Sequence, residues 1–106
     1  MAIDRIDTLK NMLDQDPRNG FIRYGLAMEY VNRGEHEQAM GEFNTLLSAD
    51  PDYVPGYYHA GRTLEKMARS GDARVMYERG IVAANRKGDQ HALSELQAAL
   101  DMVGLT

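Results

Sequence analysis

The segment His36-Glu37-Gln38-Ala39-Met40 comes within one residue of the helical zinc-peptidase signature. That chemistry needs two imidazoles one helical turn apart to grip the metal, with a glutamate between them to activate water. Met40 stands where the second imidazole belongs, so the segment offers a single ligand. His59 and His91 are distant from it and from each other along the chain, and read as ordinary surface or half-buried histidines. Gly56, Gly61 and Thr63 have the spacing of a phosphate-binding loop. Arg62 replaces the lysine that would reach the phosphates, and no strand precedes the segment. Ser48, Ser70 and Ser94 lie in no nucleophile elbow. Cysteine is absent, which removes thiolate nucleophiles, thiolate zinc sites and disulfides together. With 16 carboxylates in 106 residues some pair must lie close by chance, so carboxylate proximity says nothing about acid–base catalysis. The expectation is a protein with no catalytic residues, no metal and no cofactor, and so not an enzyme.

Composition bounds the class further. A chain of 106 residues makes one domain. Hydrophobic residues are 43% and charged residues 26%, the balance of a folded domain rather than a disordered one. A net charge of −4 disfavours nucleic acid, whose phosphates call for a basic excess. Met1-Ala2-Ile3-Asp4-Arg5 runs straight into charge, without the apolar core of a signal peptide. No stretch approaches the roughly eighteen apolar residues that mark a membrane span. The expected location is the cytoplasm, away from membranes.

The elements that would position any site are helices. Ile3, Ile6, Leu9, Met12 and Leu13 recur at helical spacing and share a face, and Asp16-Pro17 ends that helix. A second helix is expected over about Phe21 to Asn32, closed by Gly34 in a left-handed conformation. A third runs from about His36 to Ala49, carries Ala39, Met40, Phe43, Leu46 and Leu47, and stops at Asp50-Pro51. Asp52 reads as the N-cap of the fourth helix, with Pro55 in its first turn. That helix carries Tyr57, Tyr58, Ala60, Gly61 and Leu64 and should end between Ala68 and Gly71. A fifth follows from about Asp72 to Arg86, with Ala73, Met76, Tyr77, Ile81 and Val82. A sixth covers about Gln90 to Met102, with Leu93, Leu96 and Leu100. No segment alternates with period two, so the fold class is all-α.

The chain also repeats itself. Asp16-Pro17 and Asp50-Pro51 lie 34 residues apart. At that shift Tyr24 meets Tyr58, Ala27 meets Gly61, Tyr30 meets Leu64, Ala39 meets Ala73, Phe43 meets Tyr77 and Leu47 meets Ile81. A helix–turn–helix unit at this period marks an α-solenoid, in which each unit buries its apolar face only by stacking on the next. The small residues Ala39 and Ala73 allow two helices to approach closely, and the aromatic residues fill the space beside them.

Leu26-Ala27, Tyr30, Gly34, Ala39, Phe43 and Pro51, matched by Ala60-Gly61, Leu64, Ala73 and Tyr77, resemble the tetratricopeptide repeat family over nearly the whole chain. The resemblance implies an α-solenoid of about six helices in antiparallel pairs. Its single domain over 1–106 divides into an N-terminal capping helix at 1–16, repeat units at 20–53 and 54–87, and a C-terminal capping helix at 88–106. The chain departs from the family pattern at three places. Arg23 stands where a large apolar residue is usual, Asn85 replaces the second closing proline, and Ala68 replaces the turn glycine, with Gly71 as its substitute.

The family also implies a concave groove, lined by the first helix of each unit, that takes a partner's peptide or helix. Carried over, the groove residues are Phe21, Tyr24 and Met28 in unit one, with Val31 and Asn32 beyond them. In unit two they are Pro55, Tyr58, Arg62 and Lys66, with Glu65 beside them. Some family members clamp a terminal carboxylate with lysine and asparagine, but here Tyr24, Met28 and His59 hold the matching places, so that clamp is largely absent. Residues 62–88 carry seven basic and three acidic side chains between acidic flanks, which suits a partner with an acidic segment. The leading function is a non-enzymatic module that binds a protein or peptide partner. The alternative is a homo-oligomer in which the groove or an end helix forms a symmetric dimer interface.

Overall fold

In a computed structural model, which describes residues 4–105, the chain forms six helices and no strand among the described residues. They are α1 (Arg5–Gln15), α2 (Gly20–Asn32), α3 (His36–Ala49), α4 (Val54–Lys66), α5 (Ser70–Lys87) and α6 (Gln90–Met102). Ile3 lies outside the described residues. Side chains open three of the helices: Asp4 accepts from the Ile6 N–H, Asn19 from Ile22 and Asp89 from Ala92. Each satisfies one of the backbone donors that a helix start leaves unpaired.

The helix ends repeat with the sequence. After α2, Gly34 turns left-handed at φ 72°, and the Glu35 N–H donates back to the Tyr30 carbonyl at 2.9 Å. After α4, the Arg69 N–H donates to Leu64, again at 2.9 Å, but the left-handed residue is Ala68 at φ 59°. The expected substitution by Gly71 does not occur. Gly71 lies inside α5, and Ala68 adopts the strained conformation itself. Accordingly α4 ends at Lys66 and α5 begins at Ser70, two residues earlier than expected. Asp52 is not the N-cap of α4. Tyr53 holds that position without a side-chain cap, and Asp52 reaches across to Arg86, whose Nε donates to it at 2.6 Å.

Each helix packs on the next, and α2, α4 and α6 also touch one another in turn, whereas α1, α3 and α5 do not. The even-numbered helices therefore form the closed inner layer, and the odd-numbered ones splay apart outside it. A cleft of about 420 Å³ between α3 and α5, floored by Leu64 and Met76, marks that splay. The core lies between the layers. Ala27, Ala39, Phe43, Ala60, Ala73, Tyr77 and Ala84 are fully buried, with Leu26, Leu46, Leu47 and Leu64 nearly so. The small residues set the interhelical distance: a β-carbon on Gly80 would meet Tyr57 of α4 and Leu96 of α6 inside van der Waals contact. Apolar burial on this scale, at about 25 cal/mol per Å², supplies the stability that such short helices lack alone.

Two expected core residues lie outside it. Met12 is 45% exposed and Val82 is 58% exposed. On α1 the buried stripe is Ile6 and Leu13, with Leu9 half-buried, so Met12 falls at its edge. On α5 the stripe passes through Gly80, Ala83 and Ala84 instead of Val82. Arg23 is partly buried: its Nη1 donates to Glu42 of α3 at 2.7 Å, and an ion pair stands where the repeat pattern usually has an apolar residue.

Candidate functional site

The inner layer presents one side of α2, α4 and α6. On α4, Tyr58, Arg62 and Lys66 follow one another at single turns, which places them on one face. Tyr58 is half-buried, and Arg62 and Lys66 are exposed. From α2, Tyr24 sets its ring 5.4 Å from Tyr53 and 5.8 Å from His59. His59 lies 5.2 Å from Tyr58, and Tyr58 lies 6.4 Å from Tyr77. Five rings thus run continuously across α2 and α4 and down into the core. Such offset and edge-on pairs hold ring positions beyond what burial alone contributes.

Burial governs the protonation of this chain of rings. It lowers the pKa of His59 below the ordinary imidazole value, with Arg62 and Lys66 adding to the effect and Glu95 opposing it. It raises the pKa of Tyr24 and Tyr53 above the ordinary phenol value. The fully buried Tyr77 is raised too, by burial and then by Glu65, to which its hydroxyl donates. Glu65, expected beside the groove, therefore serves that buried hydroxyl.

The α6 side of the site was not legible as a wall. It was expected only as a capping helix, yet Glu95, Ala98 and Met102 line a cavity of about 300 Å³ with Tyr58 and Arg62. A neighbouring cavity of about 350 Å³ lies between Pro55, Tyr58 and His59 on α4 and Asp89, His91 and Glu95 at the start of α6. The signal was the spacing His91, Glu95, Ala98, Met102, one face of a helix. The period of 34 hid it. Without a proline at position 85, α5 runs for 18 residues against 14 in α3, and α6 slips out of register.

The other expected groove residues are dispersed. Phe21 is 77% exposed and joins none of the ring pairs, so it does not pack under α1. Met28 and Val31 are half-buried against the core. Pro55 is exposed at the rim of the larger α4–α6 cavity, and Asn32 is exposed at the end of α2. Most of the basic residues after position 66 are engaged: Arg69 with Asp72, Arg74 with the Val103 carbonyl, Arg79 over the Tyr57 ring and Arg86 with Asp52. Among the described residues, Arg62 and Lys66 have no ion-pair partner. No group of three or more His, Asp or Glu among the described residues is placed to hold a metal ion. No helix among them is long and apolar enough to cross a membrane.

The family model for the tetratricopeptide repeat matches residues 6–64, from α1 through most of α4. The chain belongs to the tetratricopeptide repeat family. The solenoid is similar to the crystal structure of a tetratricopeptide repeat domain protein from Salinibacter ruber, at 40% identity and TM-score 0.78, covering 83% of this chain and all of that one. It is also similar to the solution structure of protein BPP2914 from Bordetella parapertussis, at 29% identity and TM-score 0.81, covering 94% of this chain and 87% of the other. A TPR repeat-containing protein of Pseudomonas aeruginosa, PA0015, is 28% identical over 95 residues, 90% of each chain. Tetratricopeptide repeat proteins generally mediate protein–protein interactions and are generally non-catalytic scaffolds.

Proposed function

We propose that this tetratricopeptide repeat protein is a non-enzymatic, cytoplasmic adaptor that binds a peptide or helix of another protein along the inner face of α2, α4 and α6. The units are 20–53 and 54–87, with 1–16 and 88–106 as caps. The observation that carries the reading is the column Tyr58, Arg62, Lys66 on α4. It offers an aromatic ring and two cations without ion-pair partners among the described residues, while most of the chain's other arginines are engaged. Aromatic residues and arginine are the types on which interface energy concentrates. The two cations suit an acidic segment of the partner, and the overall negative charge keeps nucleic acid an unfavourable ligand.

A pull-down compared between the wild type and Arg62→Glu/Lys66→Glu tests this, with melting curves showing that both fold. A protein captured by the wild type and lost by the variant supports the adaptor. Equal capture by both sinks the assignment of the groove. The exposure of Phe21 and of Met102, 77% and 63%, favours self-association as the second reading. Light scattering at twice the chain mass, falling to one chain in Phe21→Ser/Met102→Ser, would establish it instead.

A further inference from the structure

The α4–α6 cavity of about 350 Å³ has a composition unlike a simple apolar slot. Its floor is Val54 and Leu96, its α4 wall is Tyr58 and His59, and its α6 rim carries Asp89 and Glu95. The two rings pack edge to face, 5.2 Å apart and at 89° to one another, and both line the cavity. We propose that this cavity seats a basic side chain, an arginine, of the peptide that the groove receives; this rests on the adaptor reading and names the chemistry of its ligand.

Three features converge on a cation. A guanidinium is attracted to the face of a tyrosine ring, and its planar form stacks there. Both rim carboxylates have unused capacity. Asp89 spends one oxygen on the Ala92 N–H at 3.0 Å, and Glu95 meets only the His91 imidazole, at 3.4 Å, with no Arg or Lys partner among the described residues. The apolar floor suits the methylene stem of a long basic side chain. An apolar occupant would gain nothing from the two carboxylates, and an acidic one would be repelled by them. His59 adds no opposing charge at neutral pH, because its burial favours the neutral ring.

Arg62 and Lys66 follow Tyr58 by about 6 and about 12 Å along α4, at a rise of 1.5 Å per residue. The groove is therefore bipolar. It takes a basic residue at the start of α6 and an acidic one a turn or two further along α4, and this fixes the direction in which the peptide lies.

Amide NMR shifts of the full chain test the cavity, with acetyl-argininamide, acetyl-norleucinamide and a twelve-residue poly-glutamate peptide as separate probes. The expected result is that argininamide shifts the amides of His59, Ala92, Glu95 and Leu96 and that the uncharged analogue does not. Glu95→Gln and Tyr58→Leu, both checked by melting, should each weaken that response by about fivefold. Equal shifts from the two amides, or shifts untouched by both variants, overturn the proposal. Poly-glutamate shifts at Arg62 and Lys66 with no argininamide response at the cavity would leave the groove standing and the arginine seat refuted. No localised response to any probe would refute both.

Discussion

The ring of Tyr77 lies directly over the α-carbon of Gly61, where a β-carbon would overlap the ring itself. Tyr77 is fully buried and tied by its hydroxyl to Glu65, so it has no easy retreat. Gly61 occupies the place of Ala27 in the preceding unit, where a methyl group fits and is fully buried. The same repeat position thus tolerates a β-carbon in one unit and excludes it in the other. Gly61→Ala should destabilise the fold by about 1–3 kcal/mol through overpacking, despite alanine's better helix propensity. A urea titration checks this, and an unchanged midpoint would mean that α4 and α5 can separate without cost.

Ala68 holds a left-handed conformation that costs an L-residue about 1–2 kcal/mol. Glycine removes that strain but loses more chain entropy on folding. Ala68→Gly should therefore stabilise the protein by about 0.5–1 kcal/mol and raise its melting temperature by a few degrees. Gly34→Ala, at the matching turn, should do the reverse. Calorimetry on both variants checks the pair, and a lower melting temperature for Ala68→Gly would contradict the turn geometry.

Asp52 distinguishes a cap from a surface pair. An N-cap aspartate replaced by alanine costs about 1 kcal/mol. The Asp52–Arg86 pair is about half exposed on both sides, and such pairs contribute about 0–1 kcal/mol. Asp52→Ala should lower stability by no more than about 0.5 kcal/mol, with the remaining effect shrinking in high salt. A loss of a full kilocalorie that salt leaves untouched would restore the capping role.

His59 makes stability depend on pH. Tyr24 of α2 and Tyr58 pack against its ring, Arg62 and Lys66 oppose its protonation and Glu95 of α6 favours it. The net result is a pKa below the ordinary value of 6.5, so the folded state disfavours the proton relative to the unfolded chain. That stability is complete above about pH 6.5 and is lost as pH falls through and below it. Urea midpoints at pH 7.5 and pH 5 should differ more for the wild type than for His59→Gln. Equal differences would show that the imidazole is solvated.

Ala39 marks what the repeat pattern conveyed. It was legible as a close-approach position, and it is fully buried. Ala39→Trp should cost at least about 1–3 kcal/mol or abolish folding. A melting curve like the wild type's would mean that α3 is free to shift.

Helix positions, the all-α class and the residues of close approach could be read from the chain, because 3.6-residue periodicity, Asp-Pro breaks and a 34-residue repeat are local or additive signals. That Tyr58, Arg62 and Lys66 share one face of α4 followed from the same helical spacing. What the sequence left open was which side chains meet across helices. Whether Ala68 or Gly71 makes the turn depends on where α5 can dock. Arg23 looks misplaced in a repeat register until Glu42 lies opposite it. The α6 wall, with Asp89 and Glu95 facing Tyr58 and His59, exists because α5 runs past Asn85 and shifts the last helix. Periodicity dictates each helix's own faces. The pairing of those faces is set by packing between helices, where a few ångströms of offset decide which charges and rings share a cavity.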